Sequence, residues 1–311
     1  MTDAFKFKSL AEFMEYFHDE KTCVAEFTKM RFRDGEYCPH CGHSKIHLFS
    51  DGKRYRCAKC KKDFTIKTNS VFGESKLPLR KWFIAIYLLS TSGKGISSVQ
   101  LGKQVGVPQN TAWFMAHRIR STKTQSGKLL SGTVEVDETY MGGKEKNKHR
   151  SKRLDGTRGR STKAKMPVIG LIQRGGEIRA RAVADCSMRT IESEIVRNAA
   201  IGTKIHTDDF LSYSRVGKYY QHSAVAHGTG EYVCGDVHTN TIESFWALFK
   251  RGYHGVYHFM SRKHLQRYVD EYTFRFNRRA GEMQSVFADV VLRVADSKKL
   301  PYKVLTAGAI I

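Results

Sequence analysis

Three acidic residues, far apart in the chain, constrain it most. Asp137 ends an alternating stretch, TVEVDETY. Asp208 follows a second short apolar stretch, TKIHTDD, and Glu243 lies 35 residues further on, in HTNTIESFWALFKRG. In that last segment Ile242, Phe245, Trp246 and Phe249 fall at i, i+3, i+4 and i+7, one apolar stripe of a helix. Asn240, Glu243, Ala247 and Lys250 share another face. Carboxylates that converge on one spot can hold two divalent metals, which clamp the attacking and leaving oxygens of an in-line displacement. Mg²⁺ or Mn²⁺ takes a few carboxylates plus substrate phosphate oxygens, so no His or Cys cage is required. Periodicity alone fits an amphipathic surface helix equally well.

The charge balance narrows the partner. Lys and Arg number 53 against 30 Asp and Glu, a net +23 over 311 residues. Such a balance points to a polyanion, with nucleic acid the first candidate; membrane-surface and ribosomal proteins share it. No apolar run approaches the roughly 18 residues that span a bilayer. The start, MTDAFKFKSL, lacks the apolar core of a secretory signal. The expectation is an intracellular chain with DNA, not a membrane, as partner.

Four of the seven cysteines, Cys38, Cys41, Cys57 and Cys60, form C-x2-C-x15-C-x2-C. This is zinc-ribbon spacing, two knuckles closing one tetrahedral structural Zn²⁺ site. The competing reading is two redox CxxC pairs. Cys23, Cys186 and Cys234 stand alone and read as packing residues.

The pattern divides the chain into a helical lead-in (1–35), a zinc ribbon (36–72), a helix-turn-helix-like region (73–128) and an α/β catalytic domain (129–311). Residues 9–33 read as one amphipathic helix with Phe13, Phe17 and Phe27 on its apolar side. RYRC and DFTIKT are short strands of the ribbon. LPLRKWFIAIYLLSTS is a helix with Pro78 near its start; SSVQLGKQ, GVPQ and NTAWFMAHRIR form helix, turn and recognition helix. Gln109, Asn110 and Thr111 would then meet base edges, although Trp113, Met115, Ala116 and Ile119 suit an ordinary helical hairpin too.

Beyond 131 come TVEVDETYMGG, MPVIGLIQRGG and EIRARAVADCS as strands, the last two joined at Gly175-Gly176. TIESEIVRNAA is helical, TKIHTDDF a short strand, HSAVAHGT a candidate fifth strand, and the Glu243 helix follows. That order is the order of an RNase H-like domain: an acid on the first strand, a second just after the fourth, a third on a helix facing them. Between the first two strands lies a basic stretch, 144–165, with ten Lys or Arg and two acids. It reads as a mobile loop whose Lys144, Lys146, Lys148 and Arg150 touch DNA, or as a merely solubilising one.

The pieces YCPHCG…GKRYRCAKCKKDFTIKTNSVF, VEVDETYMGGK, HTDDFLSY and HTNTIESFWALFKRGYHGVYHFMSRKHLQRYVDEYTFRFNRR together resemble the ISXO-type insertion-sequence transposases, DDE enzymes related to the Merlin transposons. The resemblance spans most of 36–279. It implies a metal-dependent DNA transposase with an RNase H-like core and an amino-terminal zinc ribbon, acting as a homo-oligomer on DNA in a bacterial cytoplasm, at the nucleoid. Asp137 matches the first acid, with Glu135 and Glu138 as close rivals. Asp208 matches the second, with Asp209 as its rival. At the third position the family carries Asn or Glu, followed by Lys; Asn240 and Glu243 are both present, and the step of seven to Lys250 favours Glu243. Arg251 adds a DNA contact. Tyr140, beside the first acid, is assigned packing or a phosphate contact, since no covalent protein–DNA intermediate is needed. The alternatives are a domesticated, non-catalytic zinc-ribbon regulator and an RNase H-like nuclease that cuts without joining.

Overall fold

The computed structural model describes residues 5–125, 127–143, 145–155, 161–225 and 235–307. The chain forms two compact units, Met1–Lys123 with Ala280–Gly308, and Thr124–Arg279. Among the described residues no helix is long and apolar enough to cross a membrane.

The first unit begins with α1 (Leu10–Tyr16) and α2 (Glu20–Arg31). The single helix expected over 9–33 is therefore two. Asp19 breaks it: its carboxylate accepts the Thr22 amide at 2.8 Å as the N-cap of α2, a local bond that competes with helix continuation. The ribbon is a three-stranded antiparallel sheet, β1 (Ile46–Leu48), β2 (Arg54–Cys57) and β3 (Asp63–Thr65). Its apolar content is small, with Tyr55 stacked on Phe64 at 5.3 Å. Such a module depends on its metal for folding energy.

Three helices follow, α3 (Leu79–Thr91), α4 (Ser98–Val105) and α5 (Gln109–Arg120). Ser97 caps α4, and Gly106 ends it in the left-handed conformation at φ +69°. Gly102 lets the turn close, because a Cβ there would lie 2.8 Å from the Val107 carbonyl. The helix–turn–helix thus forms over the expected residues.

The second unit is a five-stranded mixed sheet with helices on both faces. Its elements run β4 (Thr133–Met141), β5 (Met166–Gln173), β6 (Ile178–Ala182), α6 (Met188–Asn198), β7 (Lys204–Asp208), β8 (Gln221–Val225), α7 (Asn240–Gly252) and α8 (Leu265–Asn277). The strand order is β6-β5-β4-β7-β8. The first three strands pair antiparallel, while β4–β7 and β7–β8 are parallel. This is the RNase H-like arrangement. Of the expected fifth strand, 226–229 lie outside the described residues.

Alternation along β4 sends Val134 and Val136 into the core shared with Ile191 and Ile195 of α6. Val168 and Ile172 of β5 face the opposite core, with Ile242, Phe245, Trp246 and Phe249 of α7. All four residues of the α7 stripe read from periodicity are buried. The open edge of β6 is sealed by side-chain amides: Gln125 bonds both backbone groups of Ala180, Asn277 both of Ile178, and Gln266 accepts from the Ala182 amide. Side chains of this kind blunt an edge that would otherwise recruit strands.

The last two helices, α9 (Met283–Ala295) and α10 (Tyr302–Ala307), complete the first unit. The expected catalytic domain ran to 311, so its carboxy-terminal part is reassigned. The reason is aromatic packing: the buried Phe287 ring lies 5.3 Å from Phe5, 5.4 Å from Phe13 and 5.6 Å from Phe83.

Candidate active site

The sheet brings two of the expected acids level. The parallel register pairs Glu135 of β4 with His206 of β7, and two residues further along the same register come Asp137 and Asp208. Each is half-buried, and Asp209 is exposed. Backbone amides orient both carboxylates. Asp137 Oδ1 accepts from the Glu138 amide at 2.8 Å, and Asp208 Oδ1 from the Phe210 amide at 3.2 Å.

Asp137, Glu138 and Asp208 each offer a carboxylate oxygen, and these oxygens lie within 4.8 Å of one another. Glu138, expected only as a rival for the first position, is therefore part of the cluster. Its Oε2 accepts the buried Tyr213 hydroxyl at 2.9 Å. Burial, and then the neighbouring carboxylates, push the Tyr213 phenol well above its ordinary value, so it serves as a donor. Tyr213 ends the piece HTDDFLSY, but neither its residue type nor its spacing marked it for this contact. Tyr140 is partly buried against the α6-side core, as the packing alternative has it.

Glu243 lies on the exposed face of α7 and is not among the three clustered acids. Its Oε1 accepts the Thr239 hydroxyl at 3.0 Å. Its charge reaches Asp137: burial first, then Glu138, Asp208 and Glu243, push the Asp137 carboxyl up to about 8. A cation here would reverse that shift, and the donor set is all oxygen, as Mg²⁺ and Mn²⁺ prefer. The residues fit such an ion. Asn240 occupies the first position of α7 and is exposed, as are Lys250 and Arg251.

Glu135 proves to be something other than a rival ligand. It is fully buried, and its carboxylate accepts from the Thr241 amide (2.9 Å), the Ile242 amide (3.0 Å), the Thr241 hydroxyl (2.9 Å) and Arg174 Nε (2.9 Å).

The four ribbon cysteines also converge, all sulfurs within 4.8 Å. Cys38 Sγ lies 3.7 Å from Cys60 Sγ, and Cys41 Sγ 3.6 Å from Cys57 Sγ. Sulfurs about 2.3 Å from a tetrahedral ion stand about 3.8 Å apart, so the cluster fits a zinc ribbon. Burial acts to raise the Cys57 thiol, but amide donors from Cys60 and Lys59 outweigh it and hold the thiol down at about 6.

Gln109 and Asn110 are exposed at the start of α5. The basic end of α5 is structural: buried Arg118 donates to the carbonyls of Val71 (2.8 Å) and Gly73 (2.9 Å).

In the basic stretch, Lys144 and 156–160 lie outside the described residues. Glu145 organises the part that follows, pairing with Lys148 and accepting the Leu154 amide. Lys146 and Arg150 are exposed. Of the cations expected on DNA, Lys148 is thus partly engaged within the protein.

Comparison with known proteins agrees with this architecture. The ISXO2-like transposase domain matches residues 129–277, and the transposase zinc-ribbon domain matches 18–63. The chain is similar to an uncharacterized protein in transposable element ISH50 of Halobacterium salinarum, 32% identical over 250 residues, 76% of this chain and 83% of that one. The Mos1 strand transfer complex aligns with 76% of this chain and 82% of its own at 11% identity and a TM-score of 0.27, a likeness that decides neither fold nor function. Identity at the level of the ISH50 protein, across most of both chains, settles membership: this chain belongs to the ISXO2-like transposases, with a transposase zinc ribbon ahead of the acid-bearing domain.

Proposed function

We propose that this transposase cuts DNA at the ends of an insertion sequence and joins the freed ends to target DNA, using divalent metals held by Asp137, Asp208 and Glu243. The observation that carries the reading is the convergence of carboxylate oxygens from Asp137, Glu138 and Asp208, all within 4.8 Å of one another; burial together with this crowding pushes the Asp137 carboxyl up. Mg²⁺ or Mn²⁺ ions bound there would polarise the phosphate and activate the attacking oxygen. Asp137 and Asp208 are oriented by amides, and Glu243 closes the set from α7. Water attacks a phosphodiester at the element end and the P–O3′ bond breaks, freeing a 3′-hydroxyl. That hydroxyl attacks a target phosphodiester, displacing a second 3′-hydroxyl.

The other residues have supporting roles in this reading. Lys250, two turns or about 10 Å along α7 from Glu243, positions the reacting strand end, and Asn240 and Arg251 contact its phosphates. Lys144, Lys146, Lys148 and Arg150 track the DNA backbone, and Asn110 meets base edges. Cys38, Cys41, Cys57 and Cys60 hold one structural Zn²⁺, and the active DNA complex is a homo-oligomer.

The test is incubation with the element's own end sequences and a target duplex in Mg²⁺ or Mn²⁺. Cut ends covalently joined to target are expected. Cleavage without joined product would favour a nuclease, and binding without cleavage in either metal would favour a regulator.

A further inference from the structure

We infer that Glu135 is a positioning residue, which locks the helix of the third acid onto the strand of the first. A helix leaves its first four amide N–H groups without internal partners, and the N-cap residue of α7, Thr239, makes no side-chain capping bond. The cap comes instead from 106 residues upstream: Glu135 Oε2 accepts the amides of both Thr241 and Ile242. Oε1 takes the Thr241 hydroxyl and Arg174 Nε. Arg174 in turn grips the lead-in to α7, donating to the Asp236 carbonyl (2.8 Å) and carboxylate (3.0 Å) and to the His238 carbonyl (3.1 Å). The Nη2 that reaches the His238 carbonyl also lies 3.2 Å from His206 Nδ1.

A Ser, Thr or Asp at the N-cap would stabilise α7 as well as Glu135 does. Only a cap from β4 also fixes where the helix sits. Glu135 and Asp137 are alternate residues on one strand, so they face the same way and lie about 7 Å apart. Ile242, whose amide is held, immediately precedes Glu243. Sliding α7 by about 1 Å would stretch these bonds beyond hydrogen-bonding geometry, so the Glu243–Asp137 spacing is set through Glu135. Orienting groups behind metal ligands commonly govern affinity about 10–100-fold. The inference rests on the proposed metal-holding role of Asp137, Asp208 and Glu243.

The test compares wild type, Glu135→Ala and Glu135→Gln by amide hydrogen exchange, by Mn²⁺ titration followed by electron paramagnetic resonance, and by single-turnover cleavage. In Glu135→Ala, exchange at the Thr241 and Ile242 amides should accelerate and Mn²⁺ affinity should fall about tenfold. Cleavage should fall most at low metal and recover in part at saturating Mn²⁺, a dependence that loss of helix stability alone would not produce. Glu135→Gln keeps an acceptor for the helix amides but turns its NH₂ toward Arg174, so its affinity should fall by a smaller factor than in Glu135→Ala. Wild-type Mn²⁺ affinity in folded Glu135→Ala would overturn the inference; if that variant does not fold, wild-type affinity in Glu135→Gln would do so. If Asp137→Ala leaves wild-type Mn²⁺ binding unchanged, the metal assignment has failed instead, and amide exchange still reports the clamp.

Discussion

Gly170 of β5 faces the Trp246 indole of α7 with no room for a side chain: a Cβ would lie 2.6 Å from Cζ2 and 3.0 Å from Ile242 Cδ1. Gly170 is also the partner of Asp137 across the β4–β5 ladder. The helix can therefore approach the sheet closely beside the first acid. Gly170→Ala should cost about 1–3 kcal/mol, the usual penalty of overpacking a core, and should reduce cleavage beyond what the lost stability explains. Denaturant unfolding beside single-turnover kinetics measures both; wild-type stability would show that α7 yields easily.

The zinc ribbon should carry one tightly held Zn²⁺ per chain, at four cysteines whose sulfur spacing suits a tetrahedral ion. Cys57→Ser should release the metal and unfold the ribbon while the second unit stays folded, because a small metal module folds with its metal. Elemental analysis and proteolysis report this. Reduced, carefully purified protein without zinc would refute the assignment.

Asp137 makes a prediction about pH. Its carboxyl sits at about 8 in the fold against an ordinary 3.8. Between those values the folded state keeps a proton that the unfolded chain has released. Stability of the metal-free protein should therefore fall as pH rises through that window. Asp137→Asn carries no such charge. Its thermal midpoint in chelator should exceed that of wild type by a margin that widens from pH 5 to pH 8. A margin constant with pH would mean that Asp137 is not crowded by its neighbours.

If Lys146 and Arg150 track phosphates, the double alanine variant should flatten the log–log salt dependence of DNA binding by about 1.8, about 0.9 per phosphate. Lys148→Ala should flatten the slope further and also loosen the turn that Lys148 makes with Glu145. Lys250→Ala should lower cleavage more than binding. Affinity measured over a range of salt concentrations separates these; an unchanged slope would reduce the stretch to a solubilising loop.

The convergence of the four ribbon cysteines, and of Asp137 with Asp208, was legible because each group is defined by residue type and spacing. The sequence could not separate Glu135 from Asp137. Alternation puts both on one face of β4, and only the place where α7 begins distinguishes a helix cap from a metal ligand. Glu138 was legible as a rival, but its entry into the cluster depends on the buried Tyr213 hydroxyl, a contact between distant segments. The break at Asp19 had a visible signal, the polar run HDEK between two apolar stretches. The return of α9 to the amino-terminal unit had none, since periodicity shows that Phe287 is buried and not which rings bury it.

The central claim is tested most directly by single-turnover cleavage of the element's end DNA in Mg²⁺, comparing wild type with Asp137→Ala, Asp208→Ala, Glu243→Ala and Asn240→Ala at matched DNA occupancy. Each of the three acid variants should bind DNA normally and lose cleavage, because the metals supply the chemistry, while Asn240→Ala should still cut. Full cleavage by Asp137→Ala or Asp208→Ala would contradict the account, and cleavage by Glu243→Ala with loss in Asn240→Ala would contradict its choice of third acid.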